Sequence, residues 1–192
     1  MVHKQAHKEG FALLLAIVIA SILLSIGLTL LTTTVKQLTL SSTARESEIA
    51  FHAASAGIEC VRFHRGENVG DQFTDEVIGL GVAPSISCFG VTSGSANTQN
   101  RLSRDTDGYT NVFNYELDWT SDERCSQLDL YVMVGEYDNY TFDFDPYSTA
   151  VGNKTCPQGA ACTVAIVRGY NRSCDDLANG LATVERELTA QF

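Results

Sequence analysis

Six cysteines are the residues whose chemistry stands out most in this chain, and all of them lie beyond residue 59. An even number of cysteines without a C-x-x-C pair is typical of a disulfide framework in a domain that folds in an oxidising compartment. Six cysteines allow about fifteen pairings. The set comprises Cys60, Cys88, Cys125, Cys156, Cys162 and Cys174.

Position along the chain suggests two of these pairings. Cys156 and Cys162 bracket a short P-Q-G-A-A loop, so a bridge between them closes a small ring. Cys60 falls on a predicted helix, and a bridge to a later cysteine, for example Cys88, would tether that helix to the rest of the domain. The remaining pairings stay open.

Metal and catalytic roles for the cysteines have less support. The two histidines beyond the first ten residues, His52 and His64, lie on a predicted helix, and neither follows a cysteine pair at zinc-finger spacing. His64 follows Cys60 by four residues, which is ordinary helix spacing and not the signature of a Cys–His nucleophile pair. The sequence also has no phosphate loop, Ser-His-Asp signature or dinucleotide fingerprint. We therefore expect no catalysis, no cofactor and no metal at these residues.

One acidic stretch carries oxygen donors that calcium accepts. The segment R-D-T-D-G-Y-T-N offers Asp105, Asp107 and Asn111. It lacks the spacing and the final Glu of an EF-hand loop. An acidic loop that is simply solvated explains the pattern as well, so calcium is the alternative interpretation here.

Charge excludes one class of partner. The chain has 13 basic and 23 acidic residues, a formal net charge of −10. Nucleic-acid binding requires clustered Lys and Arg to neutralise phosphates, so we expect no nucleic-acid partner. The hydrophobic fraction of 44% excludes a wholly disordered chain.

An uncharged segment near the amino terminus predicts a membrane helix. No charge occurs from Phe11 to Val35, and the apolar stretch from Phe11 to Leu31 has 21 residues. A helix that spans the bilayer core needs about 20 residues. The stretch is longer than the apolar region of a cleaved secretory signal. Lys4 and Lys8 precede it and would hold the amino terminus in the cytoplasm.

The sequence K-E-G-F-A-L-L-L at Lys8–Leu15 resembles the leader junction of type IV pilins and pseudopilins. In that family a short basic leader ends in Gly, and a membrane prepilin peptidase cuts after it. The new terminal residue, often Phe, is then methylated. The resemblance implies cleavage between Gly10 and Phe11, with the apolar helix kept on the mature protein.

A second stretch extends the resemblance beyond the apolar segment. Ala50 to Glu59 reads A-F-H-A-A-S-A-G-I-E, which is similar to A-F-x-A-A-x-A-G-I-E of the PilX-type minor pilin group. An alanine-rich amphipathic helix is the plain structural interpretation of the same residues. The two similar stretches lie within the first third of the chain.

One position departs from the pattern of major pilins. Most of them carry Glu as the fifth residue of the mature chain, where it pairs with the terminal amine of a neighbouring subunit. Here that position is Leu15. A carboxylate in lipid is costly unless it is paired, so a subunit without that neighbour gains nothing from one. The resemblance therefore implies a minor subunit or a tip pseudopilin.

The expected fold is α+β, a pilin-like roll in which a long N-terminal membrane-spanning helix packs on a disulfide-stapled antiparallel sheet of four or five strands. We divide the chain into a leader (1–10), a transmembrane or filament-core helix (11–35), an amphipathic continuation (36–65) and an extracellular β-rich head domain (66–192). Segments 93–108 and 139–158 are predicted as loops. Predicted strands are Ser85–Val91, Val112–Trp119, Asp129–Glu136 and Cys162–Tyr170. The tail Ala182–Gln191 allows a final strand or a short helix, and its β-branched residues favour the strand.

These features together predict a non-enzymatic minor subunit of a type IV pilus-like filament. Its partners would be other pilin subunits through the N-terminal helix, the membrane and a prepilin peptidase. It would be a single-pass membrane protein with a cytoplasmic amino terminus and an extracellular head domain, reaching the cell surface on assembly. Two alternatives stay open: a pseudopilin of a type II secretion-like apparatus, and a membrane-anchored extracellular binding domain.

Overall fold

The computed structural model describes residues 6–66, 73, 84–92, 98–119, 124–148, 151–177 and 183–192. Two compact units are present, Met1–Arg45 and Glu46–Phe192. The described residues form one helix and nine strands: α1 (Ala6–Gly66), β1 (Ser87–Cys88), β2 (Val91–Thr92), β3 (Thr98–Arg104), β4 (Gly108–Trp119), β5 (Arg124–Gly135), β6 (Tyr140–Phe142), β7 (Lys154–Cys156), β8 (Ala161–Tyr170) and β9 (Glu185–Gln191).

The main sheet of the second unit has five antiparallel strands in the order β3-β4-β5-β8-β9. The α+β class, the single long apolar helix and the antiparallel sheet agree with the prediction from the sequence. The tail does form a strand, β9, which pairs with β8 from Val164↔Gln191 to Tyr170↔Glu185. Strands β4 and β5 both begin earlier than predicted, because their polar first residues pair across the ladder without an apolar alternation to reveal them.

Three local predictions are wrong. The predicted loop 93–108 contains β3, a polar edge strand, and the predicted loop 139–158 contains β6 and β7, which pair with each other. The predicted strand 85–91 is instead a small hairpin of β1 and β2. Its turn residues Phe89 and Gly90 have φ values of 53° and 83°, as a two-residue hairpin turn with left-handed backbone requires.

Small side chains on α1 let the helix lie directly on one face of the sheet. A Cβ atom on Gly57 would come within 2.6 Å of Val167 Cγ1. A Cβ atom on Gly169 of β8 would overlap the carbonyl oxygen of Ala50 and the amide nitrogen of Ala54. The core beneath the helix includes Ile58, Val61, Phe73, Phe113, Tyr115, Leu117, Leu128, Leu130, Val132, Ala165 and Val167.

The opposite face of the sheet has a second core. The β6–β7 hairpin and the segment between its strands cover this face with aromatic side chains. Rings of Tyr131 and Phe144 meet edge to face at a centroid distance of 5.1 Å. This second core comprises Val112, Tyr131, Met133, Tyr140, Phe142, Phe144, Cys156, Val164 and Ile166.

All six cysteines are in disulfides. The two pairings suggested from the sequence, Cys60–Cys88 and Cys156–Cys162, are both present in the structure. The third bridge joins the start of β5, at Cys125, to Cys174 beyond the end of β8. Each bridge therefore attaches a segment outside the five-stranded sheet to a regular element: the β1–β2 hairpin to α1, the chain after β8 to β5, and β7 to β8.

The contact between α1 and β8 yields a stability prediction. We expect Gly169→Ala to destabilise the second unit by about 3 kcal/mol, the upper end of the roughly 1–3 kcal/mol that overpacking typically costs, because the added methyl meets helix backbone that cannot move aside. Gly66→Ala is the matched control, since a Cβ there meets nothing within 4 Å. Denaturant unfolding of both variants measures the difference. Equal stability of the two would show that the helix does not approach β8 this closely.

The disulfides yield a second prediction, a ranking. Their sequence separations are 49 for Cys125–Cys174, 28 for Cys60–Cys88 and 6 for Cys156–Cys162. Loop-closure entropy then assigns about 4 kcal/mol to the longest loop and about 2 kcal/mol to the shortest. We expect double-alanine variants of the three pairs to lose stability in that order in denaturant titrations. Wild-type protein should take up no alkylating reagent without reductant, and free thiols in it would contradict the three bridges.

Candidate functional site

The described part of the first unit, from residue 6 onward, is helical, and its segment Phe11–Val35 is uncharged. Along Phe11–Val35 every side chain is exposed, with Phe11 at 70% and Leu15 at 51%. These 25 uncharged residues extend about 37 Å as a helix, and the bilayer hydrocarbon core is about 30 Å thick. By length and composition, α1 can therefore cross a membrane.

Most hydroxyl groups on this segment are satisfied within the helix itself. Ser21 donates to the carbonyl of Val18, and Thr29 donates to that of Ser25. The threonines Thr32, Thr33 and Thr34 bond back in the same way to carbonyls three or four residues earlier. These internal bonds remove the cost of placing a hydroxyl in lipid, so the segment behaves as an apolar surface despite its Ser and Thr content.

The proposed leader junction lies inside the helix. Both Gly10 and Phe11 belong to α1, which begins at Ala6. Leu15 and Leu31 lie further along the same helix, and both are exposed. The next charged side chain after Glu9 is Lys36, so no charge interrupts the surface between them.

The stretch from Ala50 to Glu59, called here the PilX-like stretch, has a structural role in the second unit. Of its matching residues, Ala50, Ala53, Ala54, Gly57 and Ile58 are buried against the sheet. The small ones allow the close helix–sheet contact described above, and Ser126 of β5 donates a 2.7 Å hydrogen bond to the carbonyl of Ala53. In the same stretch Phe51 and Glu59 are exposed, so packing against the sheet does not account for them.

Disulfide formation removes the cysteines from metal chemistry. Two groups of His, Cys and Asp ligand atoms in the described part of the chain lie close enough to share an ion: Cys60, His64 and Cys88, and Asp118, Cys125 and Cys174. Both groups contain a bridged cysteine pair. Because a metal is bound by the free thiolate, neither group is a metal site in the oxidised protein.

Two of the calcium candidates, Asp105 and Asn111, accept hydrogen bonds that stabilise the local fold. Asp105 Oδ1 accepts hydrogen bonds from the amides of Asp107 and Gly108, which caps the turn between β3 and β4. Asn111 is fully buried within β4, where its Oδ1 accepts a bond from Arg101. Asp105 and Asp107 belong to an exposed turn, whereas Asn111 belongs to the sheet interior.

An ionic network on the second face of the sheet was not anticipated from the sequence. Arg168 Nη2 lies 2.7 Å from Asp129 Oδ2, and Arg168 Nε lies 3.3 Å from Glu187 Oε2. Burial alone would lower the pKa of Arg168, but the two carboxylates outweigh it and raise that pKa. The three residues lie on β5, β8 and β9, far apart in sequence, and only the strand register brings them together.

Tyrosines beside this network stay protonated at high pH. Burial raises the pKa of Tyr131 to about 12, and the charge of Asp129 adds to the effect. Burial likewise raises the pKa of Tyr170 to about 12. In the helix-facing core on the other side of the sheet, burial raises the pKa of Tyr115 well above its usual value. Such shifts come from packing of the two cores and do not indicate acid–base catalysis at these residues.

No known family model, curated protein or solved structure matches this chain. The pilin resemblance therefore rests on the residues of the leader junction, the uncharged helix and the PilX-like stretch, together with the α+β layout of the structure.

Proposed function

We propose that this chain is a minor structural subunit of a type IV pilus-like filament, matured by a prepilin peptidase. The observation that carries the proposal is an uncharged helical segment with exposed side chains, Phe11–Val35, directly after the Gly10–Phe11 junction. A surface of this kind needs either lipid or other apolar helices around it. A pilin-type subunit uses both environments in turn, first the membrane and then the filament.

The layout of the second unit supports the same proposal. Three disulfides indicate folding in an oxidising location, which for a helix held by Lys4 and Lys8 on the cytoplasmic side is the outer side of the membrane. The head domain carries most of the acidic residues, so it is suited to solvent. It would accordingly face outward in a filament, with α1 as the assembly element.

Leu15 supports the minor role. A lone carboxylate at the centre of a membrane helix costs about 2.5–3.5 kcal/mol, and a major subunit offsets that cost by pairing with the amine of its neighbour. Leucine at this position requires no partner. A subunit at a filament end, or one present in few copies, can therefore insert and assemble without the charge pair.

Two other functions share parts of this description. A pseudopilin of a secretion apparatus would have the same processing and the same helix, and it would be found in a short filament of the secretion system. A membrane-anchored binding domain would keep its first ten residues. The two experiments below separate these three functions.

The first experiment tests processing. We expect the mature chain to begin at Phe11, with a methylated amine and a formal side-chain charge of 11 − 22 = −11 after loss of Lys4, Lys8 and Glu9. Mass spectrometry of the membrane-extracted protein, produced with and without a prepilin peptidase, reads this directly. Gly10→Leu should leave the leader attached. An intact leader on the wild-type chain with the active peptidase would favour the membrane-anchored binding domain.

A second experiment tests the minor role. We expect few copies of this chain relative to the main fibre protein in sheared filaments, counted by quantitative mass spectrometry. Leu15→Glu should give no gain in filament number and should reduce membrane insertion, with Leu15→Ile as the uncharged control. A near one-to-one ratio would refute the minor-subunit role, and absence from sheared surface filaments with correct processing would favour the pseudopilin.

A further inference from the structure

Among the described residues, Arg101 of β3 is a positive charge without a carboxylate partner. In the described part of the chain no Asp or Glu lies within ion-pair distance of its guanidinium. Its Cζ atom lies 4.6 Å from the centre of the Tyr109 ring, and its Nε donates a 3.3 Å bond to Asn111 Oδ1.

Two hydrogen-bond donors at this position are buried and unpaired. Arg101 Nη2 and Asn111 Nδ2 are both shielded from solvent, and neither has a hydrogen-bond partner among the described residues. Asn111 as a whole is 0% exposed. The two residues are direct cross-strand partners in the β3–β4 ladder, which places both side chains on the helix-facing side of the sheet.

Donors of this kind point to a missing acceptor. A buried polar group without a partner costs about 1–3 kcal/mol, and more when it carries charge. Native proteins satisfy the great majority of such groups, with water or an ion when the chain supplies no partner. Arg101 and Asn111 present two N–H donors and a full positive charge, and an anion accepts both bonds while neutralising the charge.

We propose that Arg101 and Asn111 form a structural anion-binding site on the helix-facing side of the β3–β4 ladder. The ligand is a small monovalent anion that accepts hydrogen bonds from Arg101 Nη2 and Asn111 Nδ2. A halide ion and a free carboxylate share this chemistry. Since both donor atoms are shut off from bulk solvent, the anion is captured as the chain folds and stabilises the folded state of the second unit.

Thr163 provides an internal comparison. It lies on the same cross-strand row, through the pairs Asn111↔Val132 and Val132↔Thr163, and its hydroxyl is also buried without a partner. Two ladder steps of about 4.8 Å separate Thr163 from Asn111. An anion held at Arg101 gives Thr163 no role, so Thr163→Val should raise stability slightly and equally in every salt.

The test is thermal unfolding of the detergent-solubilised full chain, refolded and then titrated with sodium chloride or sodium acetate. A bulky sulfonate salt holds the ionic strength constant. We expect a saturable rise in Tm, roughly 5–10 °C at one hundred times Kd, in at least one of the two salts. A response to chloride alone assigns a halide, and a response to acetate identifies a carboxylate.

Two variants and a matched control decide the outcome. Asn111→Leu and Arg101→Gln should abolish the salt-dependent part of the rise. Arg104→Gln should keep it, because Arg104 lies over the same Tyr109 ring at 5.9 Å but pairs with Glu136. Equal salt responses in wild type and Asn111→Leu would overturn the proposal. If Asn111→Leu is more stable than wild type in every salt, the site is empty and the proposal is wrong. If the variant is less stable by the same amount in every salt, water occupies the site and the proposal is again wrong.

Discussion

The closeness of α1 to β8 is the constraint on which the second unit depends. Helix backbone at Ala50 and Ala54 lies against Gly169, and no side chain separates the two elements there. This close approach lets the Ser126 hydroxyl donate a hydrogen bond to the carbonyl of Ala53 while it accepts one from the Trp119 indole. It also brings Cys60 on the helix to within bridging distance of Cys88, with Cα atoms 5.6 Å apart. A bulkier residue at any of these small positions would disturb packing, hydrogen bonding and the disulfide together.

The two faces of the sheet are covered in different ways. The helix-facing core consists of alternate side chains of the strands, and α1 covers it. On the opposite face the cover is a short hairpin, β6–β7, too small to be stable alone. Its aromatic rings compensate by meeting those of β5 and the following turn, and the Cys156–Cys162 bridge fastens it to β8. The ionic network of Arg168 occupies the part of that face near β9, where Tyr131 borders the aromatic core.

Periodicity and residue type predicted the elements whose signal is local. The uncharged segment predicted the helix, the residue pattern of Val112–Trp119 predicted a strand, and the short spacing of Cys156 and Cys162 suggested their bridge. Elements whose signal is not local were missed. β3 is polar because it lies at the sheet edge, and β6–β7 pair across a long connection, so neither shows a strand pattern. Register also hides sites: Arg101 and Asn111 are ten residues apart, and Arg168 and Asp129 are 39 apart, yet each pair meets through strand pairing.

In the proposed function, the first unit has to be stable in two apolar environments. In lipid, helices gain nothing from hiding apolar surface against each other, so association depends on close packing and hydrogen bonds. The hydroxyls of Ser21 and Thr29 donate their protons to backbone carbonyls of the same helix, so they have no proton left to donate to a neighbouring helix. Without a carboxylate at position 15 the helix also lacks the one strong directional bond that a major subunit uses. In that function, the transfer from membrane to filament would rest on shape along Phe11–Val35. It would also use exposed apolar side chains of the second unit, among them Phe51 and Phe63 on α1.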